Sequence, residues 1–110
     1  MANVSFDTFK SLDLRIGEIK AADDIPGADK LYKLVVDIGG EERELIAGIR
    51  KFYDKSSLTG KKIIVLTNLE PRTIKGVTSH GMLLAAVTEG MANVVLLTVD
   101  KDVPSGTKIS

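Results

Sequence analysis

The sequence predicts an all-β fold, a five-stranded barrel with short helices and a C-terminal extension. Three observations carry this. Short runs rich in Ile, Val and Leu recur at near-regular spacing along the 110 residues. Gly- and Pro-bearing turn signals separate them, as at Pro26-Gly27, Gly39-Gly40 and Pro104-Ser105-Gly106. Helical patterning is confined to two short stretches. A chain of this length suits one domain with a modest core, taken as residues 1–110.

In chain order, Val4 to Leu12 reads as a short helix. Ser5 caps it, and Asp7 sits in the first turn, where the helix dipole favours an anion. Phe6, Phe9 and Leu12 share one face, expected to plug one end of the barrel. Asp13 to Ala22 is the first strand. Gly17 interrupts its alternation and signals a bulge or bend, which a strand curling round a small barrel needs. Asp23 to Lys30 is expected to be a loop. Leu31 to Ile38 and Glu44 to Ile49 follow as strands, joined by a hairpin at Gly39-Gly40. Arg50 to Thr59, anchored by Phe52 and Leu58, fits a short helix or turn. Ile63 to Thr67, Met82 to Thr88 and Asn93 to Val99 are the remaining strands.

The stretch from Leu66 to Ala86 organises the rest. Its centre holds Asn68, Pro71, Arg72, Lys75, Gly76, Ser79, His80 and Gly81 between two apolar runs. A turn of two to five residues joins strands more simply. A longer loop carrying cations, an amide and hydroxyls suggests a recognition surface on a rigid scaffold. The residues alone leave an ordinary solvated connection equally open.

Asn68-Leu69, Pro71-Arg72, Gly76, Ser79 and Gly81-Met82 form the pattern N-L-x-P-R-x-x-x-G-x-x-S-x-G-M. The pattern resembles the structure-specific tRNA-binding domain family. That family includes the appended domain of many methionyl-tRNA synthetases, free-standing tRNA-binding proteins and CsaA-like export chaperones. The likeness extends to Asp13-Leu14-Arg15-Ile16-Gly17, Pro26, Ala28-Asp29-Lys30-Leu31, Val36-Asp37-Ile38-Gly39, Val103-Pro104, Gly106-Thr107 and Lys108-Ile109, so it spans nearly the whole chain. The resemblance implies an OB-fold barrel that dimerises and grips the outer corner of tRNA. It implies a non-catalytic, structure-specific tRNA-binding module, free-standing or associated with methionyl-tRNA synthetase. A CsaA-like chaperone binding unfolded or exported polypeptide is the rival. The candidate tRNA-binding residues are Arg50, Lys51, Asn68, Arg72, Lys75, Ser79, His80 and Met82. Two positions depart from the family: Ala47 precedes Gly48 where many members have serine, and Thr73 stands where lysine is frequent. Each departure is expected to remove an RNA contact.

Fifteen basic and fifteen acidic residues give zero formal charge, so bulk charge announces no nucleic-acid binder. From Arg50 to Lys75, however, seven basic residues face two acidic ones. Such a local field attracts phosphate; scattered solubilising lysines are the bland alternative. Asn68 and Ser79 supply directional hydrogen bonds. Met82 offers a soft contact for a base, although a core methionine is the commoner meaning. Aromatic residues number only five. Single-strand binders stack bases on several exposed aromatics, so their scarcity favours reading folded RNA by shape and backbone.

Catalysis has no assembled site. His80 is the only histidine and there is no cysteine, which excludes disulfides and thiolate chemistry and disfavours a metal site. Ser79 and His80 are adjacent, so on a strand they point opposite ways. Asp13, Asp29 and Asp37 each have a structural reading. Gly39-Gly40 lacks the lysine and helix of a phosphate loop. No cofactor is expected. The polar N-terminus is no signal peptide and no segment has transmembrane length, so a cytoplasmic protein without a membrane partner is expected.

Met82 to Val87 and Asn93 to Val99 hardly alternate, so both faces of these strands should meet something. The second face is covered either by the C-terminal tail or by a second copy. The family resemblance favours a homodimer.

Overall fold

The computed structural model describes residues 1–110. Strand β1 (Leu14–Ile25) serves two partners. Its first part, Leu14 to Glu18, pairs antiparallel with β4 (Lys62–Leu66). From Glu18 to Ile25 it pairs with β2 (Ala28–Asp37). The exchange of partners falls beside Gly17. A β-carbon there would lie 2.6 Å from Val36 Cγ1 and 3.3 Å from Val65 Cγ2, so only glycine lets the neighbouring strands close in. The ladder slips one residue at Lys20, between Ile19 and Ala21, which places the expected bulge just after the glycine.

Strand β3 (Glu42–Ala47) pairs with β2. After two short strands, β5 (Arg72–Ile74) and β6 (Val77–Ser79), β7 (Met82–Leu83) pairs with β4. The main sheet is therefore antiparallel and five-stranded, in the order β3-β2-β1-β4-β7. β5 and β6 form a separate hairpin, as do β8 (Ala85–Val87) and β9 (Val94–Leu96). The five-stranded expectation is thus met as an open sheet, not as a barrel closed by a continuous ladder. The residues that approach β3 are broken into strands of three and two residues, and they reach it by a few isolated hydrogen bonds.

Inward residues alternate along the strands. Ile19, Leu34, Val36, Leu45, Ile63 and Val65 are fully buried, and Leu58 joins them from the connection before β4. Each such side chain contributes about 1.5–3 kcal/mol by leaving water. No helix is long and apolar enough to cross a membrane.

Several boundaries differ from expectation. The loop expected over 23–30 is a tight Pro26-Gly27 turn, because β1 and β2 continue their ladder almost to the tip. The segment after β3, expected as a short helix or turn, does hold one, a 3₁₀ turn at Lys55–Ser57. The N-terminal helix α1 (Phe6–Lys10) is capped by Ser5 as expected, its hydroxyl accepting from the Thr8 amide at 3.1 Å. It does not plug the fold. None of its residues is buried, and Phe6 is 70% exposed. At five residues the helix is too short to lay a stripe across the core, so Phe6 and Phe9 stack on each other outside it.

The C-terminal segment lines the edge of β1 that β2 leaves free. The Ile16 amide donates to Thr107 O at 2.9 Å, Gly106 N to Ile16 O at 2.7 Å, and Ile109 N to Leu14 O at 2.9 Å.

Candidate nucleic-acid interface

The stretch from Asn68 to Met82 is a built object, not an open loop. Its hairpin turns at Lys75-Gly76 between the paired residues Ile74 and Val77. Both turn residues have positive φ, +53° at Lys75 and +80° at Gly76, the geometry that matches strand twist in a two-residue hairpin. Alternation sends Arg72, Ile74, Val77 and Ser79 to one face. Thr73 and Thr78 take the other, their hydroxyls 2.9 Å apart.

Ser79 fastens this hairpin to the main sheet. It is buried, accepts from the Ile46 amide at 2.9 Å and donates to Gly81 O at 2.8 Å. The His80 amide adds a bond to Glu44 O at 2.9 Å. Gly81 follows at φ +131°, with a β-carbon position only 2.9 Å from Leu66 O, so no side chain fits there.

Between the fastened hairpin and the outer face of β2 and β3 lies a cleft of about 290 Å³. Leu31, Ile46 and Gly48 line it on the sheet side; Arg72, Ile74 and Met82 line it opposite, together with the carboxylate-bearing Glu70. It meets a second hollow of about 390 Å³ at Leu31 and Gly48, lined further by Lys30, Lys51, Phe52 and Met91. The two form one groove with an apolar middle. Cations stand at both ends, and Lys30, Lys51 and Arg72 take part in none of the ion pairs of the structure. Unpaired cations beside apolar surface suit a polyanion that also carries flat bases.

The structure sorts the sequence-predicted residues. Arg72, Met82 and Lys51 line the groove, and Lys75 stands at the hairpin tip. Met82 is 44% exposed, so it is not a core residue. Arg50 is turned to the scaffold: it donates to Ala28 O at 3.1 Å and pairs with Asp24 at 3.5 Å. Asn68 is engaged at both ends of its amide, accepting from Asp13 N at 2.9 Å and donating to Ser11 O at 2.7 Å. The buried Ser79 hydroxyl is likewise occupied by the chain. His80 faces a different cleft, among Glu41, Glu42 and Glu44 with Arg43 paired to Glu41, a setting with an excess of negative charge. The basic excess of the Arg50–Lys75 stretch is also thinner in space than in sequence. Lys55 pairs with Asp24, and Lys62 donates to Val103 O at 2.7 Å.

Lys30, Leu31, Ile46 and Ile74 were not singled out as site residues by sequence. For Leu31 and Ile46 the signal is an apolar residue on the outer face of a strand, Leu31 beside inward Tyr32 and Ile46 between inward Leu45 and Ala47; Lys30 carries no such signal.

Away from the groove, Asp13 and Thr67 lock the start of β1 to the end of β4. The Thr67 amide donates to Asp13 O at 2.8 Å, and the Thr67 hydroxyl donates to the Asp13 carboxylate. That hydroxyl, with Arg15 second, holds the Asp13 carboxyl below the usual aspartate value.

Residues 14–108 match the family model described as "Putative tRNA binding domain". The chain belongs to this family. It is 46% identical over 109 residues to a methionine–tRNA ligase of Methanocaldococcus jannaschii, covering 99% of this chain but only 17% of that protein. Among solved structures it is similar to a MetRS-related protein from Pyrococcus horikoshii, with a TM-score of 0.93 and 38% identity over the full length of both chains. The chaperone CsaA of Bacillus anthracis is also similar, with a TM-score of 0.90 and 34% identity over 99% of this chain and all of that one.

The two departures from the family pattern now have locations. Ala47 is 3% exposed and faces the core, so a serine there would not reach the groove. Thr73 lies on the hairpin face that carries Thr78, away from Arg72 and Ile74.

Proposed function

We propose that the chain is a non-catalytic, structure-specific tRNA-binding module, free-standing or associated with a methionyl-tRNA synthetase. The observation that carries this reading is the groove with unpaired cations at both ends, Arg72 at one and Lys30 with Lys51 at the other. As an appendage it would raise the local concentration of tRNA near a catalytic partner. The five-strand order together with the family supports an OB-type architecture, in which this same outer face binds oligonucleotides. A cysteine-free chain suits the reducing cytoplasm, where tRNA is charged.

A homodimer belongs to the same reading. Val95 and Leu97 are 45% and 39% exposed on β9 and the residue after it, with exposed Ala86 paired to Val95 on the same face, while the C-terminal segment runs along β1 instead. A second copy would cover this face with a self-complementary twofold contact and place two grooves on one particle.

One observation favours a second reading. The middle of the groove is apolar, with Leu31, Ile46, Ile74 and Met82, which suits an extended polypeptide as in a CsaA-like chaperone. Fluorescence anisotropy with a tRNA transcript, poly-uridine of equal length and a reduced unfolded protein separates the two. Preference for tRNA is expected. Equal binding of tRNA and poly-uridine, or binding of the polypeptide alone, would overturn the primary reading.

A further inference from the structure

Two residues other than glycine have positive φ, Lys75 and Met91. Lys75 sits at the tip of a two-residue hairpin whose geometry demands it. Met91 has φ +54° after Gly90 at +68°, in the six-residue connection between β8 and β9. A bulky residue in this region is strained, and a glycine would meet the same backbone need without strain. Nor does Met91 recover the cost by burial, since it is 60% exposed. What the conformation does achieve is to bring Met91 to the hollow that also holds Lys30, Leu31, Gly48, Lys51 and Phe52. Backbone strain at a ligand-sized hollow is a reason to look for a ligand.

The lining says which kind. Lys30 and Lys51 have no carboxylate partner, so the hollow presents free positive charge. Phe52 offers an aromatic wall and Met91 a polarisable one. Gly48 contributes no side chain, which leaves the floor open between them. Folded RNA exposes unstacked bases at its loops, each flanked by phosphates, and proteins take such bases against aromatic side chains.

Resting on the RNA reading above, we propose that this hollow takes one unstacked nucleotide of a folded RNA. The base lies between Phe52 and Met91 above Gly48, and the flanking phosphates meet Lys30 and Lys51. The hairpin cleft beside Arg72 then follows the backbone, while the hollow distinguishes an RNA with looped-out bases from a plain duplex.

Three variants test this. Met91→Gly removes the side chain and relieves the backbone. Gly48→Val fills the floor, where a β-carbon meets only Leu31 Cδ2 at an ordinary 3.8 Å. Phe52→Leu keeps an apolar wall and removes the aromatic face. The probes are a full tRNA transcript, a blunt RNA duplex with the same number of phosphates, and AMP as competitor. Met91→Gly and Gly48→Val are expected to lower tRNA affinity about tenfold, the scale of one lost stacking contact, with Phe52→Leu in the same direction. Duplex binding stays unchanged, and Met91→Gly melts no lower than the native chain. Native-like tRNA binding by Met91→Gly and Gly48→Val overturns the proposal, as does an equal loss for tRNA and duplex. Displacement of tRNA by AMP at micromolar concentration would assign the hollow to a free nucleotide and also overturn it. A native chain that binds neither RNA overturns the tRNA reading itself, a result distinct from native binding with unaffected variants.

Discussion

The Ser79 hydroxyl accepts the Ile46 amide at 2.9 Å, and this contact turns a surface hairpin into the wall of a groove. Ile46 sits in an edge strand of the main sheet, and its outward side chain lines the cleft that the hairpin closes. Together with the His80 amide bond to Glu44 O, this buried hydroxyl sets the distance between Arg72 and the β2–β3 face.

Ser79→Ala should therefore weaken binding without touching RNA. The change leaves the Ile46 amide and Gly81 O without their partner, which costs about 1–3 kcal/mol in a buried setting. Urea denaturation should show that loss, and tRNA affinity should fall with it. Unchanged stability would mean that the hairpin is held by other contacts.

Lys75→Asn separates the turn from the charge. It creates Asn-Gly, the preferred pair for a two-residue hairpin with both residues at positive φ. The melting temperature should hold or rise, while tRNA affinity falls through the lost cation. A parallel fall of both would show that Lys75 supports the fold instead of the RNA.

How the sequence pattern divides is visible in these residues. Ser79, Gly81 and Asn68 are committed to scaffold contacts, although the first two also border the cleft, whereas the side chains of Arg72, Met82 and Leu69 line it without such contacts. Sequence shows that such residues belong together, but not which way they face. Strands β2, β3 and β4 were legible because buried positions alternate along them, and β1 because its apolar run is long enough to survive the interruption at Gly17. The hairpin β5–β6 was not, because Thr73, Lys75 and Thr78 read as a polar loop and its turn carries Lys where Asn or Asp gives the usual signal. The helix α1 was legible from its Ser5 cap, but its exposed position was not, since spacing of Phe6, Phe9 and Leu12 shows a face without showing a partner. Ion pairing was equally hidden: Arg50 and Lys55 meet Asp24 only because β1 runs on to Ile25.

Acid should loosen the β1–β4 lock. The Asp13 carboxyl is held below its usual value, so its contribution is fully present above the unfolded value, about 3.9, and is lost as pH falls through the lower folded value. Asp13→Asn has no such titration. The native chain should be the more stable of the two near neutrality, and the gap should shrink below about pH 4. A gap that is constant with pH would remove Asp13 from the acid response.

The exposed apolar face on β8–β9 should be covered in solution. Light scattering after gel filtration should give twice the monomer mass across a micromolar dilution series, and Val95→Lys should give the monomer. Val95 opposes Ala86 on that face and is 45% exposed, so the charge disrupts a contact between copies without entering the core. A monomeric native chain would leave the face without a second copy.

On the proposed reading, unpaired cations around one groove hold the phosphates of a folded RNA. The most direct measurement is tRNA affinity against salt concentration for the native chain and for the double variant Lys51→Ala with Arg72→Ala. Three or four engaged phosphates give a log–log slope of about −2 to −4 for the native chain, and the double variant should be shallower by about 1.5. A slope near zero for the native chain, or the same slope for both, would mean that these cations do not hold RNA phosphates.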